Sequence, residues 1–238
     1  MSEPYWATGP GEILRHGLSL LENDSDSNRR LAMISIDNSI ELMMQTFIQL
    51  PKRVTGVDIP RAKRDDICSG FPKLLDGIEE HASQLIHGLD LGVFEWFHRL
   101  RNQLYQQGSG LTVERTKVEA FAELGRKLFR GLFGIDLELS GSKDMRKLGE
   151  FLDGWIEIER GLQKAANSDR PSSIRESLSK LVSEAKISPE QVSQINDLSR
   201  VRNALVHGTT EPSKALTPEV LRAVLEISRW LTSIGATP

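Results

Sequence analysis

Apolar residues recur along this chain at three- and four-residue intervals, and no stretch alternates like a half-buried strand. Residues 28–50, "NRRLAMISIDNSIELMMQTFIQL", form one long amphipathic stretch stopped by Pro51, and 71–88 form a second, with Pro72 at its start and Gly88 at its end. In 90–108, "DLGVFEWFHRLRNQLYQQG", Val93, Phe97, Leu100 and Leu104 fall on one helical face. Residues 112–134 read as a fourth helix with Thr112 as its cap and Glu114 in its first turn. Helices are expected next at 143–166, 170–187, 188–208 and 217–235. Ser188, Pro189 and Gly208 punctuate the third of these, and Thr217, Pro218 and Glu219 open the last. The pattern predicts an all-α chain.

The two halves resemble each other. "RNQLYQQGSGLTVE" (101–114) and "RNALVHGTTEPSKALTPE" (202–219) share Arg-Asn-x-Leu, a nearby glycine and a Leu-Thr-x-Glu opening the next helix. Each half places the marked helix third of four. The expected division is residues 1–134 and 143–238, with the boundary in "IDLELSGSKD" (135–144). The connector 51–64 carries Lys52, Arg53, Arg61, Lys63 and Arg64, read either as a solvated loop or as a phosphate-contacting arm.

Bulk properties exclude several classes. At 238 residues with 26% charged residues, the chain suits one large or two small soluble domains, and its net charge of −3 gives no global attraction to nucleic acid. Any polyanion site must be local. One cysteine, Cys68, allows no internal disulfide and no cysteine zinc cage. No apolar run reaches the length of a membrane span, and "MSEPYWATGPGE" lacks the form of a signal peptide, so a cytoplasmic location with no membrane partner is expected. HExxH, Walker and GxSxG patterns are absent, and no spacing suggests a metal or cofactor.

The chemistry concentrates on the Arg-Asn pairs. Arg202 falls within the apolar arc of its helix, and Asn203 and His207 stand one turn apart at its edge. Arg101 likewise faces the apolar side, near Phe94 and Phe97. A cation so placed needs a partner. One reading is structural: Arg202 pairs with Glu157 or Glu159, Arg101 with Asp37 or Glu41, and His207 and Gly208 cap a helix. The other is chemical. Guanidinium matches phosphate, and histidine moves protons near neutral pH, so the two converging on RNA can promote attack of a 2′-hydroxyl on the adjacent phosphorus.

Arg-Asn-x-x-x-His followed by glycine, on the third helix of a four-helix unit, resembles the HEPN superfamily (higher eukaryotes and prokaryotes nucleotide-binding). "RNALVH" (202–207) matches its motif in full, and "IDNSIELMMQTF" (36–47) resembles the first helix of such domains. "FHRLRNQLYQQG" (97–108) resembles a variant reading Arg-Asn-x-Leu-Tyr-His-x-Gly, with Gln106 where the histidine would stand. The resemblance implies two tandem four-helix bundles forming a pseudo-dimer, with Arg202 as phosphate clamp, Asn203 as positioning group and His207 as proton-transfer residue. Arg101 and Asn102 would supply the facing half of the catalytic set. Gln106, His98 and Tyr105 would contact substrate. Gln106 cannot relay a proton, and His98 is either its substitute or a structural histidine. His16, His81 and His87 join no arrangement.

The implied activity is metal-independent RNA cleavage without a cofactor, in a toxin or phage-defence effector. Implied partners are RNA, an antitoxin or defence-system protein, and a second copy of the chain. The rival implication is a non-catalytic HEPN module that binds RNA, nucleotide or a protein.

Overall fold

The computed structural model describes residues 4–106, 112–139, 143–167 and 173–234, and among them every regular element is a helix. The chain is therefore all-α. It divides into two compact units, Met1–Gly141 and Ser142–Pro238.

The first unit is built around one long helix. In order it contains α1 (Tyr5–Ser19), a 3₁₀ turn (Leu20–Asn23), α2 (Asp26–Gln49), α3 (Lys52–Thr55), α4 (Arg61–Ile67), α5 (Phe71–Ala82), α6 (Leu91–Gln106) and α7 (Arg115–Phe133). Ser25 starts α2 by accepting a hydrogen bond from Asn28 N at 3.1 Å. Ile36, Ile40, Met43, Met44 and Phe47 then bury its apolar stripe completely. Because α2 is apolar on more than one side, it packs against α1, α5, α6 and α7. Phe97 of α6 stacks on Phe121 of α7 with ring centroids 4.3 Å apart, closing the core between those helices.

This unit departs from a simple four-helix count. Residues 5–19 form α1, although Gly9-Pro10-Gly11 reads locally as a break. The helix persists because Leu14 and Leu18 bury a full stripe and Ser39 donates to Pro10 O at 2.6 Å from inside α2. The basic connector is also structured in part, as α3 and α4. Lys52 reaches Asp58 at 3.1 Å, Lys63 reaches Glu80 at 3.7 Å, and Arg64 donates to Gln49 O at 2.8 Å and to Ile59 O. Three of its five cations thus serve the fold. Two helix ends also differ from expectation. α5 stops at Ala82 rather than Gly88, and Thr112 does not cap α7, which begins at Arg115 with Glu114 before it. Arg115 fixes that start by donating to Leu21 O at 2.8 Å and to Glu119 at 2.9 Å.

The second unit holds α8 (Lys143–Ala165), α9 (Ile174–Ser183), α10 (Pro189–Val206), α11 (Pro212–Ala215) and α12 (Pro218–Ile234). α8 is its spine and packs against the other four. The closest approach is to α12: a Cβ on Gly154 would lie 3.1 Å from Val224, and one on Gly161 would lie 2.7 Å from Leu231. Capping boxes open α9 at Ser173 with Glu176, and α10 at Ser188 with Gln191. No helix of the described residues is long and apolar enough to cross a membrane.

Candidate functional site

The two Arg-Asn pairs occupy the last turns of α6 and α10, and in each the arginine donates to its own neighbour. Arg101 Nη1 donates to Asn102 Oδ1 at 2.9 Å, and Arg202 Nη1 donates to Asn203 Oδ1 at 3.0 Å. Successive helical residues diverge by about 100°, so a side-chain bond between them requires the guanidinium to bend sideways across the helix surface. Both units make that bend.

In the second unit Arg202 is 7% exposed, while Asn203 is exposed and His207 half-buried. Leu198, Leu205 and Val206 bury the same face of α10. His207 is the residue on which the helix ends. The backbone N–H of Gly208 bonds Leu205 O at 3.1 Å and that of Thr209 bonds Ala204 O at 2.9 Å, with Gly208 at φ 64°. This Schellman closure needs a residue that tolerates left-handed backbone, and Gly208 supplies it without steric cost. The turn fixes His207 about 7.5 Å along the axis from Arg202. On α8, Glu157 pairs with Arg160 at 2.8 Å, and Glu159 accepts from Trp155 Nε1 at 2.7 Å.

The first unit differs in what surrounds the arginine. α2 places Asp37 in its apolar stripe, one turn from Met33 and Ile40, and its side chain is completely buried. Arg101 Nε lies 3.3 Å from Asp37 Oδ2, and Arg101 Nη2 donates to Asn38 Oδ1 at 2.8 Å. Of Asp37 and Glu41, it is therefore Asp37 that Arg101 meets. His98, one turn earlier on α6, lies against the same carboxylate, with Nδ1 3.0 Å from Oδ2 and 3.1 Å from Oδ1. An ionised carboxylate only accepts, so Nδ1 carries the proton. The opposite face of the ring stacks on Phe71 of α5, centroids 3.8 Å apart and planes 5° from parallel. A fully buried carboxylate between a guanidinium and an imidazole is compensated electrically, and its removal would strand both partners.

Tyr105 and Gln106 belong to α6, but their side chains lie outside the described residues. Separately, Asp37, Glu41 and His98 each offer a donor atom, all within 4.8 Å of one another. Spacing along the chain conceals this grouping, since His98 comes from a different helix. Two carboxylates and an imidazole suit a zinc-like ion by type. Their present commitments oppose it: the Arg101 cation adjoins Asp37, His98 Nδ1 is hydrogen-bonded to it, and Glu41 accepts from Gln45 at 3.0 Å. The signal for the Asp37 contact in the sequence is an acid at a core position of α2, matched by a cation at a core position of α6. No family model matches the chain, nor does any curated protein or solved structure.

Proposed function

We propose that this protein is a metal-independent endoribonuclease of HEPN type, whose two units act as a pseudo-dimer and whose cleavage chemistry is centred on α10. The observation that carries the reading is the recurrence of one unusual local geometry: a largely inward-facing arginine held sideways by the asparagine that follows it, at the end of a helix, in both units. A structural arginine needs only a carboxylate; an oriented guanidinium suits a planar, bidentate ligand such as phosphate.

In this reading Arg202 holds the scissile phosphate and Asn203 fixes the guanidinium. His207 takes the proton of the 2′-hydroxyl as it attacks phosphorus. Arg101 and Asn102 hold a second phosphate, with Tyr105 and Gln106 as further substrate contacts. A cytoplasmic toxin or defence effector with an antitoxin or similar protein partner is the corresponding biological role. Cleavage of a mixed RNA panel in EDTA, with 2′,3′-cyclic phosphate ends as product, tests it. Absence of cleavage by wild-type protein across that panel would refute it.

One observation favours the second reading, a non-catalytic module that binds RNA, nucleotide or protein. Arg101 is engaged by Asp37, Asn38 and Asn102 together, which is how an arginine serving the fold is held. RNA retention without cleavage would be its signature.

A further inference from the structure

The first unit lacks a histidine after its Arg-Asn pair, yet the fold sets another imidazole beside Arg101. We infer that His98, oriented by Asp37, is the proton-transfer residue of a second cleavage site in the first unit; this rests on the ribonuclease reading above.

Three observations carry it. His98 and Arg101 converge on one atom, Asp37 Oδ2, at 3.0 and 3.3 Å, so imidazole and guanidinium are neighbours. Asp37 accepts from Nδ1 and so fixes the tautomer in which Nε2 carries the lone pair. Phe71 stacks on the ring and removes its rotational freedom, while the side chain keeps 17% of its surface exposed. Nε2 has no hydrogen-bond partner among the described residues and is not among their buried unpartnered atoms. A histidine serving only to pair Asp37 gains nothing from an open Nε2. A carboxylate behind one ring nitrogen and an open lone pair on the other is the arrangement of a general base.

The 2′-hydroxyl passes its proton to His98 Nε2 while its oxygen bonds the adjacent phosphorus, whose charge Arg101 neutralises. The bond from phosphorus to the 5′-oxygen breaks, and that oxygen takes a proton from water. The imidazolium returns its proton to the hydroxide so formed. The products are a 2′,3′-cyclic phosphate and a 5′-hydroxyl. Asp37 touches no substrate and is a positioning residue.

The test uses the full chain in EDTA with an RNA panel, comparing wild type, His207→Ala, and His207→Ala combined with His98→Gln, His98→Ala or Asp37→Asn. Thermal melts confirm folding, and glutamine retains a donor toward Asp37. In the His207→Ala background, residual cleavage is expected, falling a further 10²-fold or so with His98→Gln. Added imidazole should restore cleavage to the His98→Ala combination, which a purely structural role would not allow. Asp37→Asn should lower the kcat of residual cleavage with KM little changed, because the group that orients the imidazole is altered while no substrate contact is lost. If wild type cleaves but His207→Ala leaves nothing above the double variant, the inference falls and the ribonuclease reading stands. If wild type cleaves nothing, both fall. If residual cleavage is lost in EDTA and restored by Zn²⁺, the Asp37–Glu41–His98 group is a metal site and the inference is overturned.

Discussion

α6 and α10 end in the same two residues but solve different problems. In α10 the histidine follows the arginine by five positions and sits on a helix-terminating turn closed by Gly208. In α6 it precedes the arginine by three positions, inside the helix, and is gripped by a buried carboxylate from α2. The first imidazole takes its position from backbone geometry, the second from a side chain supplied by another helix. The lesson is that an imidazole near an asparagine-held guanidinium need not stand at a fixed offset in the sequence.

The largest test of this contrast is His207→Ala. Loss of one acid–base group typically costs about 10²–10⁴ in rate, so cleavage measured at saturating RNA should fall by that factor while RNA retention is nearly unchanged. Arg202→Ala should lower both rate and affinity, since a phosphate clamp acts before and during the chemical step. Equal rates for His207→Ala and wild type would place the chemistry elsewhere.

Stability separates the two helices next. Arg101→Met should destabilise the chain by about 3 kcal/mol in urea melts, because Asp37 would stay buried without the guanidinium beside it. A loss under about 1 kcal/mol would show that the carboxylate does not depend on the guanidinium. Gly208→Ala should cost about 1 kcal/mol, through left-handed strain at φ 64°. It should also slow cleavage through His207, whereas Asn102→Ala, with a similar stability loss of about 1 kcal/mol, should act mainly by weakening RNA retention.

The smallest effect concerns the frame around α2. The Arg29 side chain hydrogen-bonds Asp24 and holds its carboxyl below the usual range, with Arg115 adding to the shift. A carboxyl lowered on folding stabilises the protein above its unfolded pKa, and that contribution is lost as pH falls through the folded value. Asp24→Asn should therefore cost less than about 1 kcal/mol at neutral pH, since the pair is partly exposed, and nothing below both values. An equal loss at pH 7 and pH 2 would contradict the ionic origin.

Much of this was legible in the sequence where the signal is local. Ser188, Pro189 and Gly208 bound α10 as their chemistry requires, and Arg202 is buried where periodicity puts it. α1 was hidden because Gly9-Pro10-Gly11 looks like a turn, and only the long-range bond from Ser39 and the burial of Leu14 override it. Thr112 looked like a cap because capping is a local rule, while the start of α7 is set by Arg115 reaching Leu21, 94 positions away. The Asp37–His98 contact was invisible for the same reason, spanning 61 positions between helices. Residue type pairs Arg101 with either Asp37 or Glu41, and only packing chooses Asp37.

The glycines of α8 carry a mechanical consequence. Gly154 and Gly161 are seven residues apart, as are Val224 and Leu231, which fill the space above them on α12. Two matched notches and teeth at a two-turn interval act as a ratchet pawl: sliding α12 by one residue would drive both side chains into the ridges of α8 at once. The α8–α12 pair is thereby a fixed strut of the second unit. Any movement of α10, or of the turn that ends it at His207 and Gly208, is movement against that fixed pair.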